Sequence, residues 1–221
     1  VTGSVTSAQN IIKCCNQSGL DVEDIVLEPL SSSQAVLSPD EQEVGVVLVD
    51  IGGGTTDVTI YSEGSIVHTS VLALGGNHLT HDIAIGLGAP LREAEEIKHK
   101  FGVAMANMVE ENEMIDVPSV GGRNNRTMQK RVLASIIEDR FREIFELIAH
   151  EIEKTHFHTL MASGVVITGG TCIMSGADRL ASQVLNLPVR VGYPENISGL
   201  REMIYSPKYA TSVGLVRYGI T

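Results

Sequence analysis

Apolar positions along the chain change period several times, and each change predicts an element. Ile11, Ile12 and Cys15 recur at helical spacing from Ser7, and Gly19 follows them as a C-cap, so a first helix is expected there. Ile25-Val26-Leu27 is a β-branched run closed by Pro29 and predicts a short strand. Residues 31–37 predict a compact helix, followed by an acidic loop at Pro39-Asp40-Glu41. Residues 44–51, 56–61 and 66–74 read as three strands joined by Gly52-Gly53-Gly54 and by Glu63-Gly64-Ser65. The first strand is apolar on both faces, which suits a central position, whereas Val58 and Ile60 alternate with Asp57 and Thr59 as on a half-covered sheet.

Helices are predicted next, from Gly75-Gly76-Asn77 to Ala84 and over 91–101. The pattern weakens between 102 and 126 apart from a short strand at 115–117. Val132, Leu133, Ile136, Ile137, Phe141, Ile144, Phe145, Ile148 and Ile152 then mark one long amphipathic helix. A buried strand at 165–167, a turn at Gly169-Gly170, a helix over 174–185, a strand at 189–191 and a last helix over 209–218 complete the series. An antiparallel meander followed by alternating helices and strands is the element order of a ribonuclease-H-like α/β domain. Its core is expected from 44–76 and 161–221, with a helical insertion subdomain at 77–160. Residues 1–43 read as the helix-strand-helix tail of a preceding lobe.

Composition narrows what such a domain can do. The 221 residues carry a net charge of −11, which disfavours nucleic acid and anionic membrane surfaces as partners. Apolar runs such as 44–49 are far short of the ~20 residues that cross a bilayer. Three cysteines, with Cys14 and Cys15 adjacent and Cys172 remote, give neither a paired framework nor metal-ligand spacing, which suits a reducing cytoplasm. No secretory signal opens the chain, and its start at Val1 reads as a piece of something longer.

Candidate chemistry centres on Asp50-Ile51-Gly52-Gly53-Gly54-Thr55-Thr56-Asp57. Without Cβ atoms the amides of Gly52, Gly53 and Gly54 can approach phosphate oxygens, and the Thr55 and Thr56 hydroxyls add donors. Asp50, ending a strand, is placed to hold Mg²⁺ through water. A tight hairpin also uses glycines, but it needs no flanking acids in a buried position. Thr168-Gly169-Gly170-Thr171 follows a second buried strand. Glu95 and Lys98 share a helix face as an i,i+3 pair, which solvated surface pairs also do.

These segments resemble, in order, the nucleotide motifs of the actin-like ATPase superfamily. The glycine-threonine loop is similar to its second phosphate loop. Gly169, Gly170 and Thr171 resemble its adenosine motif, and Gly76 a turn near the nucleotide. Glu95 and Lys98 match the acid and base that hold ribose and adenine. Residues 34–37 and 209–214 look like its two connecting helices, whose small residues allow close crossing. The phrases at 117–123, 192–200 and 206–215, with Val1-Thr2-Gly3-Ser4 and Leu27-Glu28-Pro29-Leu30, narrow the resemblance to the FtsA family of bacterial cell-division proteins.

The resemblance implies ATP and Mg as cofactors, self-association into filaments, and a link between the FtsZ ring and the inner face of the cell membrane at the division site. It also implies that a first lobe would precede Val1 and a membrane helix would follow Thr221, so ATP affinity of this chain alone is expected to be weak. Whether ATP is turned over stays open. The FtsZ C-terminal peptide would bind the insertion, where residues 123–142 hold six basic residues against two acidic ones. Arg123, Arg126, Lys130 and Arg140 are the candidates, since arginine can pair carboxylates bidentately; a solvated helix face is the plain alternative. His150, His156 and His158 suit a helix end better than a metal site. Two other functions compete: a sugar or acyl-phosphate kinase, for which no substrate cluster of Asp, Asn and His is seen, and a two-metal nuclease, which the glycines between Asp50 and Asp57 and the acidic charge disfavour.

Overall fold

A computed structural model describes residues 4–118, 125–155, 161–199 and 201–220 of the chain. In order, its elements are helices α1 (Val5–Gln17), α2 (Glu28–Val36) and α3 (Pro39–Val44), then strands β1 (Val46–Ile51), β2 (Thr56–Ser62) and β3 (Ser65–Leu72). Helices α4 (Gly76–Leu87) and α5 (Leu91–Phe101) follow, with strands β4 (Met114–Val117) and β5 (Arg126–Gln129) and helix α6 (Lys130–Lys154). Strand β6 (Val165–Thr168), helix α7 (Ala177–Leu185), strand β7 (Val189–Val191), helix α8 (Arg201–Ile204) and helix α9 (Ala210–Ile220) complete the chain.

The main sheet has the order β3-β2-β1-β6-β7. β1 to β3 form the antiparallel meander, while β1, β6 and β7 run parallel. All six residues of β1 are buried, as a strand apolar on both faces requires. Val47, Val49 and Ile51 face one cluster with Leu79 and Ile83 of α4, Ile144 and Ile148 of α6 and Leu180 of α7. Val46 and Leu48 face the other, with Ala35 and Val36 of α2 and Ala210 of α9. This is the predicted ribonuclease-H-like α/β layout.

The insertion shares its core with the sheet. One continuous cluster runs from Val49 through Phe141 and Leu133 to Ile115 and Val117 of the small β4-β5 sheet. Along α6 the stripe Leu133, Ile137, Phe141, Ile144, Phe145, Ile148 and Ile152 is buried, whereas Val132 lies off it and is exposed.

Several elements differ from the sequence reading. Residues 25–27 form no strand, because no neighbouring strand offers them a partner among the described residues, and α2 begins at Glu28 with Pro29 in its first turn. The expected acidic loop is helix α3. Ser38 caps the Glu41 amide, the Glu41 carboxylate accepts from the Ser38 amide, and proline opens the turn. β5 escaped notice because its residues carry no apolar alternation; it forms by pairing with β4. α7 starts at Ala177 because Gly176, at φ +85°, lies outside helical space.

Helices α2 and α9 cross at very close range. A Cβ on Gly214 would stand 1.7 Å from the Ser31 carbonyl oxygen, and the Ser31 hydroxyl donates to the Thr211 carbonyl at 2.6 Å. These are the two segments that resemble connecting helices.

Candidate functional site

Three turns from separate parts of the sequence meet at the carboxyl ends of β1 and β6, where open α/β sheets place their ligands. The register brings this about, because Asp50 lies opposite Asp57 on β2 and beside Thr168 on β6. The Gly52 carbonyl accepts from the Gly76 amide at 2.9 Å and from the Thr171 hydroxyl at 2.9 Å. The Gly53 carbonyl accepts from the Asn77 amide at 2.7 Å. Gly75 is required here, since a Cβ on it would lie 2.7 Å from the Gly52 carbonyl oxygen. A Cβ on Gly76 would lie 2.6 Å from Thr171 Oγ1.

These contacts build the floor of a cleft of about 410 Å³, lined among others by Gly53, Gly76, Glu95, Lys98, Gly170 and Thr171. Six predicted site residues therefore converge. Gly53, Gly54 and Thr55 are exposed at the turn. The amides of Gly53 and Gly54 donate to no protein acceptor among the described residues, whereas the Gly52 amide closes the turn onto the Thr55 carbonyl. Gly169, at φ +92°, abuts Asp50: a Cβ there would stand 2.5 Å from Asp50 Oδ1.

Thr56 and Lys98 do other work than the sequence reading gave them. Thr56 is fully buried and its hydroxyl donates to the Leu74 carbonyl, so it is a brace for the meander and not a ligand donor. Lys98 is also buried, and its three N–H groups have three protein acceptors: the Gly76 carbonyl at 2.9 Å, Thr80 Oγ1 at 2.7 Å and Glu95 Oε2 at 2.7 Å. It clamps α5 onto the first turn of α4. Burial pushes the Glu95 carboxyl up, but hydrogen bonds from Lys98 and Thr80, with the Lys98 and His99 charges, hold it below its usual range. Glu95 is thus ionised at the cleft wall with His99 Nε2 at 2.9 Å.

The carboxylates form the second half of the site. Asp50 is only 5 % exposed. Burial raises its pKa to about 6; the Ser32 and Thr211 hydrogen bonds oppose the rise and the Glu28 charge adds to it. Asp57 is also raised to about 6, by burial and then by Glu28 and Asp50. Asp50 and Asp57 repel each other and both are repelled by Glu28, a surplus of negative charge that a hard divalent cation bound at Asp50 would neutralise. No group of three or more His, Cys, Asp or Glu among the described residues could enclose a metal alone. Such a cation would be held by Asp50 together with waters and ligand phosphates, so these residues fit Mg²⁺.

Sequence reasoning gave Glu28 no role beyond its place in a family phrase, and it passed over Asn77, Thr80 and Lys208. Asn77 and Lys208 line the cleft, and Thr80 links Lys98 to Glu95. Only the packing reveals them, although Lys208 stands in a phrase that carries the resemblance.

The basic residues of the insertion are dispersed. Arg126 donates to the Leu87 carbonyl at the end of α4. Lys130 pairs with Glu113 at 2.8 Å. Arg140 holds Asp82 through Nε at 2.5 Å and Nη2 at 3.0 Å and also pairs with Glu143. Arg123, His156 and His158 lie outside the described residues, whereas His150 lies near the C-terminal end of α6.

Comparison with known proteins agrees with this geometry. Residues 47–214 match the family described as "Cell division protein FtsA". The chain is 45 % identical over 220 residues to the FtsA of Pseudomonas aeruginosa, covering 100 % of this chain and 53 % of that protein. It is 42 % identical over 219 residues to that of Escherichia coli, covering 96 % of this chain and 52 % of the relative. It therefore spans about half the length of the curated relatives it matches. Among solved structures, MreB5 of Spiroplasma citri bound to ADP superposes with a TM-score of 0.78 at 19 % identity, covering 98 % of this chain and 65 % of that one. That likeness shows an actin-like ATPase fold, and the sequence matches place the chain in the FtsA family of cell-division proteins.

Proposed function

We propose that this chain supplies one wall of an ATP-binding cleft in a cell-division protein that self-associates into filaments and links the FtsZ ring to the membrane. One observation carries the nucleotide part: three glycine turns, each far from the others in sequence, converge on one cleft beside a buried carboxylate. Exposed amides of Gly53 and Gly54 would receive phosphate oxygens, Gly170 and Thr171 would border the nucleoside, and Glu95 would accept from ribose hydroxyls. Bound Mg²⁺ would neutralise phosphate charge. Asp50 would hold it through water, with Asp57 and Glu28 adding negative charge nearby.

Family membership supports the division role, and two likenesses support the nucleotide and the filament. MreB5 of Spiroplasma citri has been seen with ADP and with AMPPNP. A MamK double helical filament superposes with a TM-score of 0.71 at 15 % identity. Residues 77–160 would serve as the FtsZ-peptide subdomain, and Arg126, Lys130 and Arg140 would take part by exchanging their present acceptors for peptide carboxylates. Membrane attachment would come, as the family resemblance implies, from a segment outside this chain; among the described residues no helix is long and apolar enough to cross a bilayer. The family match lends no support to a kinase.

Gly54 offers the sharpest test. A Cβ there meets nothing within 4 Å, so Gly54→Val should fold normally while filling the space above the amides. Titration with Mg-ATP should show at least a tenfold loss of affinity at unchanged melting temperature. Unchanged affinity would refute phosphate binding at this turn.

A further inference from the structure

The Asp50 carboxylate is fixed from two sides. Its Oδ2 accepts from the Ser32 hydroxyl at 2.7 Å, and its Oδ1 faces the bare Cα of Gly169. Ser32 is completely buried, and its oxygen lies 3.0 Å from Thr211 Oγ1. A serine hydroxyl has one hydrogen. Because Ser32 gives that hydrogen to Asp50, it accepts in the second contact, and Thr211 donates to it at 3.0 Å in preference to the Glu28 carboxylate, whose Oε1 lies 3.4 Å from the same hydroxyl. The relay thus has a direction, from α9 through α2 to the end of β1. Thr211 is itself placed where Ser31 meets the last helix beside Gly214.

We propose that Ser32 and Thr211 are positioning residues for the cation, an ordered pair of hydroxyls that aims Asp50 and ties its orientation to the crossing of α2 and α9. The proposal rests on the reading of Asp50 as a magnesium ligand. Neither hydroxyl touches the nucleotide or the cation; each acts through the carboxylate. With Thr211 as donor, the Ser32 hydrogen has no other acceptor as favourable as Asp50, so the carboxylate keeps one rotamer. Without that donor, Ser32 can turn its hydrogen away and the carboxylate loses its aim. Coupling of this kind is reciprocal, so occupation of the cation site should also tighten the helix crossing.

The test compares affinity for a fluorescent adenine nucleotide, titrated into the millimolar range, in magnesium and in a chelator. The ratio of the two affinities is the quantity of interest. In Ser32→Ala and Thr211→Val the ratio should fall by about three- to tenfold, the size expected for losing one charge-assisted hydrogen bond. Affinity in chelator should change less than twofold, and Thr211→Ser, which keeps the donor, should retain the wild-type ratio. Amide exchange in α9 should slow on adding magnesium nucleotide to the wild type and to Thr211→Ser, but not to Thr211→Val. A ratio unchanged in both deletion variants overturns the proposal, as does an equal loss in magnesium and chelator. Nucleotide binding by the wild type with no magnesium enhancement overturns instead the assignment of Asp50 to a cation, and absence of nucleotide binding altogether overturns the reading of the cleft.

Discussion

The glycine cleft and the basic stretch running through β5 into α6 were both conspicuous as local composition, yet folding treats them in opposite ways. At the cleft, Gly53, Gly76, Gly170 and Thr171 come together from three turns. On the insertion, Arg126, Lys130 and Arg140 go to three different acceptors on α4 and on the segment before β4. The cause lies in what each residue type specifies. A glycine at a close approach records that another backbone atom must pass there, so it constrains three-dimensional structure. A surplus of arginine records only charge, which nearby carboxylates such as Asp82, Glu138 and Glu143 absorb one at a time. Counting basic residues in a window overstates the free positive surface.

The comparison can be broken from the cleft side first. Gly75→Ala drives a Cβ to 2.7 Å from a backbone oxygen that cannot yield cheaply. Its cost should be about 3 kcal/mol of unfolding free energy in urea, at the upper end for overpacking. A loss below about 1 kcal/mol would mean that the three turns are less firmly joined than their hydrogen bonds indicate.

The next effect has the opposite sign. Burial raises the Asp50 pKa to about 6 from an ordinary 3.8, so the folded chain binds more protons than the unfolded one between those limits. Stability therefore falls as pH rises through that window, and the full penalty is present above about pH 6. Asp50→Asn should stabilise the chain by about 1–3 kcal/mol at pH 7.5 while abolishing the magnesium dependence of nucleotide binding. At pH 4 the gain should shrink toward zero. Denaturation at both pH values checks it, and a pH-independent gain would show that burial of charge is not its source.

Arg140→Ala should cost least, about 0.5–1 kcal/mol, because the pair with Asp82 is partly solvated. It should leave nucleotide affinity unaltered. A change in affinity would show that the insertion and the cleft respond as one unit, which would weaken the contrast drawn here.

Much of the fold was readable from the sequence. The apolar β1 run and the α6 stripe fix their elements because burial imposes a period, whereas β2, read as half-covered from its alternation, is buried on both faces over residues 58–61. Helix α3 was equally legible through Ser38, Pro39 and Glu41, but acidity drew attention away from the capping pattern. Strand β5 could not be seen, since its identity depends on β4 and not on its own side chains. The cleft's glycines were readable for the reason given above. Spacing pairs Lys98 with Glu95, and both line the cleft, but only the packing shows the Gly76 carbonyl and the Thr80 hydroxyl taking the other two Lys98 protons. Ser32 and Thr211, separated by 179 positions, carry no signal that a single sequence could expose.

The Gly52 carbonyl accepts from both Gly76 and Thr171, so two distant loops are referred to one atom. Transplanting the Asp50–Asp57 stretch alone into another scaffold would carry over the amides and leave behind what aims them. A working graft would need all three segments, moved as a set.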